Sequence, residues 1–269
     1  FRNAFPAGYR ESFGARTAVA DIQQMENLLL LADGELGMSF YRELEEAPNQ
    51  LRFKLFHRGT ILPLSDVIPV LENLGLRVLG EHPYEICRKD GQVIWIHNFL
   101  VQYTLADSIS IAEVKALFQD SFRAVWQGMA ESDPFNRLVL GAQLGWKDIA
   151  LLRAYARYMK QIRFGISESY IAETLCHYIP ISASLVRLFH IRFGLEYRDE
   201  EARSESFAKA EAAVIESLDG VSQLNEDRTF RRYVELIKAT LRTNFFQLDD
   251  DCGVKSYISL KMNPAAISE

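Results

Sequence analysis

The stretch LRFKLFHRGTILPLSDVIPVLENLGLRVLGEHPYEICRKDGQVIWIHNFLVQY, residues 51–103, decides the fold. Leu51, Phe53, Leu55 and His57 point one way along an extended chain while Arg52, Lys54, Phe56 and Arg58 point the other, the two-residue period of a strand. Gly59 breaks that run. Pro63, then Ser65 as the N-cap, open a helix whose apolar stripe is Val67, Val70, Leu71 and Leu74. Pro69 falls near its first turn, where a missing N–H costs least. Gly75 is the expected left-handed stop. Two strands follow, 76–87 and 92–103, joined at Asp90-Gly91, a strong hairpin signal. Taking these two residues as the turn pairs Lys89 with Gln92. One face then carries His82, Tyr84, Ile86, Val93, Trp95, His97 and Phe99, and the other Cys87, Ile94, Ile96 and Leu100. Both faces are apolar, so the side away from the sheet's own helices is expected to be covered by another domain or subunit.

Upstream, Val19, Ile22, Met25, Leu28 and Leu29 recur at helical spacing over 15–31, and Asp33-Gly34 stops that helix. Residues 38–44 alternate, with Met38, Phe40 and Leu44 on one side, and make a hairpin with 51–58 through the loop 45–50. Downstream, Ser110-Ile111-Ala112-Glu113 has the form of a capping box for a helix bearing Val114, Leu117, Phe118, Phe122 and Val125 and ending at Gly128. Four strands and two packing helices in this order predict an α+β sandwich with an antiparallel sheet of the ferredoxin-like kind. From Asp133, a cap, and Pro134, a first helical residue, the pattern becomes all-α. Helices are expected near 134–143, 146–163, 167–178, 182–193, 200–217 and 226–246, with Ser167 and Ser182 as caps and Pro180 between two of them. Asp249-Asp250-Asp251 reads as a linker. The alternation of Val254, Ile258, Leu260 and Met262 reads as a strand that opens a further domain or adds to another sheet edge. The predicted organisation is a helical segment 1–34, an α+β module 35–131, a helical domain 132–248, and a linker with one strand, 249–269.

Charge and cysteine usage narrow the function. With 36 acidic against 30 basic residues the net charge is −6, which disfavours a general binder of nucleic acid or anionic membrane. Cys87, Cys176 and Cys252 are odd in number and widely spaced, so neither a disulfide framework nor a zinc set is indicated, and a reducing, cytoplasmic compartment is expected. No run approaches 18 apolar residues. Phe1 stands where an initiator Met would, and no signal-peptide pattern follows, so we expect a piece of a longer polypeptide.

The motifs for chemistry are sparse. No G-x-G-x-x-G or G-K-[ST] occurs, and no Ser or Cys has a persuasive base. His82 and His97 fall on one predicted face as diagonal neighbours, without a convergent carboxylate or thiol for a metal. Cys176 and His177 are adjacent on a helix, so their side chains diverge by about 100°. Arg153, Arg157 and Lys160, with Tyr158 near, line up at helical spacing and would suit a phosphate or an acidic partner. A solvated face opposite Ile149, Leu152, Ala156 and Met159 explains them more simply. A ferredoxin-like sheet could also stack RNA bases on Trp95 and Phe99, but the acidic charge and the missing K/R-G-F/Y pattern oppose this.

Four segments carry a family likeness: LRFKLFHRG at 51–59, LSDVIPVLENLGLRV at 64–78, RAYARYMKQ at 153–161 and YISLKMNP at 257–264. They resemble the large-subunit, NAD-specific glutamate dehydrogenases of bacteria, in order and over nearly the whole chain. The resemblance implies an ACT-like module, then a helical region, then the opening strand of the catalytic part. The parent enzyme would oxidise L-glutamate to 2-oxoglutarate and ammonia with NAD as hydride acceptor. Its glycine-rich substrate segments and Rossmann domain would lie beyond Glu269, so neither Lys255 nor Lys261 is a catalytic lysine and no cofactor site is expected here. What remains is a regulatory or architectural role, in company with the enzyme's other domains and as part of a homo-oligomer, either sensing an amino acid or serving purely as a spacer. Similar modules bind amino acids near the first strand-to-helix loop, here His57-Arg58-Gly59-Thr60. Arg58 would meet a carboxylate, with Gly59 and Thr60 beside it.

Overall fold

A computed structural model describes residues 4–196, 199–249, 253–255 and 257–268. The chain divides into two compact units, 1–127 and 128–269. In the first, helices α1 (Ala7–Ser12) and α2 (Ala15–Leu29) precede strands β1 (Gly37–Tyr41) and β2 (Gln50–Arg58). Helix α3 (Leu64–Asn73), strands β3 (Leu76–Cys87) and β4 (Val93–Tyr103), and helix α4 (Ile111–Trp126) complete the unit. The sheet is antiparallel in the order β1-β2-β4-β3. Strands β2 and β3 run parallel with β4 between them, and α3 crosses from one to the other. The unit thus has the β-α-β-β-α-β plan with its last strand moved to the front.

Both sheet faces are covered from within the unit. Phe40 stacks on Phe118 of α4 at 4.2 Å between centroids, and Phe53 meets Phe118 and Phe122 edge-on or tilted at 5.1 Å. Val67, Val70 and Leu71 of α3 are buried on the same side. On the opposite face Phe56, Tyr84, Ile86, Ile94 and Ile96 form a buried cluster with Tyr9 of α1 and Met25 and Leu28 of α2. The expected cover is therefore supplied by the chain's own N-terminal helices.

A buried ion pair sits within this second layer. Lys54, in the middle of β2, is fully buried, and its Nζ lies 2.6 Å from Asp21 Oδ2 on α2. Tyr9 Oη donates to the same oxygen at 2.6 Å, and the Phe13 ring centroid is 3.6 Å from the ammonium. Burial lowers the lysine's pKa, and Asp21 opposes that shift. Burial and the Asp21 hydrogen bond raise the Tyr9 pKa, so its hydroxyl stays a donor.

The hairpin register corrects the expected one by a residue. Cys87 pairs with Val93, Arg88 N–H donates to the Gln92 carbonyl at 2.9 Å, and Gly91 N–H donates to Arg88 at 3.1 Å. The turn is the three-residue loop Lys89-Asp90-Gly91, with Gly91 at φ +85° and Asp90 Oδ1 accepting from Gln92 N–H. One residue of slip exchanges the faces. Tyr84 and Ile86 therefore share a face with Ile94 and Ile96, and the exposed His82 lies on the face opposite His97.

Several helix ends also differ from expectation. Helix α2 stops at Leu29 and β1 at Tyr41. Pro63 is the N-cap of α3, Ser65 is inside the helix, and Pro69 is two residues deeper than expected, on the exposed face where water can reach the unpaired carbonyl. Ser110 does occupy the N-cap of α4, without a side-chain cap bond.

In the second unit a 3-10 turn, Pro134–Arg137, leads into α5 (Leu138–Gly141), α6 (Trp146–Gln161), α7 (Glu168–His177), α8 (Ile179–Phe193), α9 (Glu200–Ser217) and α10 (Leu224–Ala239). Asp133 and Ser167 cap as expected, accepting from Phe135 and Tyr170 N–H. Ser182 does not cap α8. That helix starts at Ile179 with Pro180 in its first turn, and Ser182 Oγ instead donates to the Leu175 carbonyl at 2.7 Å, closing the end of α7. Helix α10 ends at Ala239, short of the expected 246, because β5 (Thr240–Thr243) pairs with β6 (Leu260–Met262) and Arg192 takes up the carbonyls of Lys238 and Thr240. The C-terminal strand thus has a partner in its own unit. The core centres on Tyr155, Phe189 and Tyr233, with Tyr155 Oη 2.8 Å from Thr240 Oγ1 and Tyr233 Oη donating to the Leu152 carbonyl. Asp250, Asp251 and Cys252 of the expected linker lie outside the described residues. Among the described residues no helix is long and apolar enough to cross a membrane.

Removing one partner of a buried pair strands a charge, at a cost of about 3–5 kcal/mol. Asp21→Asn should therefore lower stability to urea by that amount, and Asp21→Asn/Lys54→Met should recover most of it. A double variant no more stable than the single one contradicts the pairing.

Candidate functional site

The strand-to-helix loop after β2 is built around Gly59. At φ +86° it turns the chain, donates its N–H to the Val93 carbonyl at 3.0 Å and accepts from Trp95 Nε1 at 3.1 Å. Trp95 is half-buried and Phe99 fully so, which leaves no open aromatic platform on this face. His57 Nδ1 lies 3.0 Å from the Thr60 carbonyl, and burial lowers the His57 pKa against that contact, assisted by His97 and Arg58. Below, His97 is 1% exposed, its Nε2 accepting the Leu62 N–H and its Nδ1 2.8 Å from Glu81 Oε1. The ring's proton therefore sits on Nδ1.

Arg58 points back to the end of α2. Its Nη2 donates to the Leu31 carbonyl at 3.0 Å and to the Ala32 carbonyl, and lies 3.1 Å from the exposed carboxylate of Asp33. Carbonyls after the last helical turn carry partial negative charge, and a guanidinium there satisfies them. Arg58 Nε is buried without a partner. Arg58, Gly59 and Thr60 are thus brought together, with the arginine engaged by backbone oxygen and a replaceable surface carboxylate.

Of the Arg153 stripe, Arg157 and Lys160 are exposed as a solvated face requires, but Arg153 is not. Arg153 is buried and forks onto Asp133, Nε–Oδ2 2.5 Å and Nη2–Oδ1 2.9 Å, with Nη2 also 2.8 Å from Asn136 Oδ1. It anchors the start of the helical unit, a role hidden in sequence because the acid is twenty residues away. Arg157 pairs with Glu131 and Glu168. Lys255 and Arg157 line one groove of about 420 Å³ along α6, with Trp146, Tyr257 and Leu260.

No group of three or more metal-ligating side chains occurs among the described residues. A dinucleotide does not fit the junction between β2 and α3, where the loop has a single glycine and Pro63 occupies the helix start. Cys176 is buried, with Sγ 3.5 Å from the Pro134 carbonyl, and burial raises its pKa to about 11. Its thiolate fraction at pH 8 is correspondingly small. Iodoacetamide at pH 8 should modify the exposed Cys87 and leave Cys176 intact in the folded chain, as read by peptide mass mapping. Equal labelling would contradict the burial.

Four family models match along the chain: the glutamate dehydrogenase helical motif 2 over residues 1–28, its ACT3 domain over 35–114, its helical motif 3 over 130–195, and the bacterial NAD-glutamate dehydrogenase catalytic domain over 213–269. NAD-specific glutamate dehydrogenases from Pseudomonas aeruginosa and Halomonas elongata are 50% and 46% identical over all of this chain, and that of Mycobacterium tuberculosis is 33% identical over 99% of it. In each case the chain spans 16% of the relative's length. The helices covering the outer sheet face, the sheet itself and the helical unit fall in turn under matches to one enzyme type, and the chain belongs to the NAD-specific glutamate dehydrogenases of bacteria.

Proposed function

We propose that these residues are the regulatory and architectural part of an enzyme of amino-acid catabolism that converts L-glutamate, NAD and water to 2-oxoglutarate, ammonia and NADH, and that they do none of this chemistry themselves. The ordered matches to ACT and helical-motif models carry the reading. The stretch matched by the catalytic-domain model, 213–269, holds two glycines, Gly220 and Gly253, too far apart for a phosphate turn. The 269-residue chain given L-glutamate and NAD should form no NADH; turnover that co-purifies with it would overturn the assignment.

The regulatory reading places an amino-acid effector at Arg58, Gly59 and Thr60. The ligand carboxylate would take Arg58 in competition with Asp33 and the α2 carbonyls, and Gly59 permits close backbone approach. Ligand binding is thereby coupled to the seating of α2. Calorimetry with a panel of amino acids should find one that binds, with affinity lost in Arg58→Ala. Binding unchanged by that substitution moves the site, and silence across the panel leaves the purely architectural role.

A further inference from the structure

Helix α6 ends in an unusual way. Phe164 N–H reaches back to the Met159 carbonyl at 3.0 Å and Arg163 N–H to Lys160 at 3.1 Å, the paired bonds of a Schellman terminus. The left-handed position in that motif favours glycine, but here it is Arg163, at φ +57°. A non-glycine side chain in this conformation is strained, because its Cβ crowds the following carbonyl oxygen. The strained residue presents a guanidinium, which suggests that the charge is retained for use.

Two more arginines meet it. Arg228 and Arg232, four apart on α10, hold their guanidinium carbons 5.5 and 5.0 Å from the centroid of Phe164. Neighbouring cations are neutralised locally: Arg232 by Glu235 at 2.8 Å, Arg231 by Asp227 at 2.9 Å and Lys238 by Glu211 at 2.6 Å. Arg163 and Arg228 have no carboxylate within ion-pair distance among the described residues. Two adjoining cavities, of about 320 and 600 Å³, share Phe164, Arg228 and Arg232. The smaller also takes in Arg163 and has apolar walls from Ile162, Pro264 and Ile267. In a chain of net charge −6 this concentration does not follow from general basicity.

We propose that this recess between the end of α6 and the face of α10 binds a phosphate monoester carried on a small molecule with a planar or apolar body. Two unneutralised guanidinium groups match the charge of about −1.5 to −2 that such a phosphate carries at pH 7, whereas a single carboxylate would leave one unanswered. The apolar walls receive the body. The Arg58 loop belongs to the other unit.

Phenyl phosphate is the direct probe, titrated calorimetrically into the 269-residue chain, with inorganic phosphate and benzoate as comparisons. Phenyl phosphate should bind saturably and at least about tenfold more tightly than either. Arg228→Gln should weaken it by a similar factor. Arg163→Gly should weaken it likewise while raising the melting temperature, since glycine relieves the left-handed strain. Absence of saturable binding to the native chain, benzoate binding as well as phenyl phosphate, or native affinity in Arg163→Gly would each overturn the proposal.

Discussion

A lysine ammonium and an aspartate carboxylate, 2.6 Å apart and out of reach of water, hold the outer helical layer to the sheet. Neither charge is tolerable alone in that setting, so the pair fixes which residues of α2 face β2. Tyr9 extends the constraint to α1 by donating to the same carboxylate oxygen, and Phe13 closes over the ammonium. Apolar burial is non-directional, and the ion pair adds a directional contact to it.

That layer makes the sheet a closed body. With α3 and α4 on one face and α1 and α2 on the other, neither broad surface is open to a ligand or a nucleic-acid base, and communication with other parts of an enzyme is left to edges, loops and helix ends. Arg58 stands at such a place. It grips the carbonyls that follow α2, so an event at the β2–α3 loop acts on the element that the buried pair secures at its middle. On the proposed function this is the route by which an effector would alter the module.

The two-residue and 3.6-residue periods made the strands, most helices and the α+β-then-α organisation legible, because burial on one face writes itself into the local pattern. What depended on partners distant in sequence was not. Asp21 lies on the stripe of Met25 and Leu28, and Lys54 sits amid Phe53, Leu55 and Phe56; an acid and a base each out of place on an apolar face are the local trace of a pairing that only the fold completes. The hairpin slipped by one residue because Asp-Gly serves both two- and three-residue loops, and the choice is made by Tyr84 and Ile86 joining Ile94 and Ile96 over α1 and α2. Ser182 looked like a cap for its own helix and serves the preceding one. Helix α10 ends where β6, twenty residues on, offers a strand to pair with. Of the candidate loop, Gly59 was legible from its position, but the hold of the α2 carbonyls on Arg58 was not.

The sheet module is completed by its own N-terminal helices. Hydrogen exchange by mass spectrometry on the chain with and without residues 1–31 tests it most directly. Removal should strip protection from the central amides of β2 and β4 while leaving α6, α8 and α10 as they were. Unchanged protection in those strands would contradict the claim and make the helical cover dispensable.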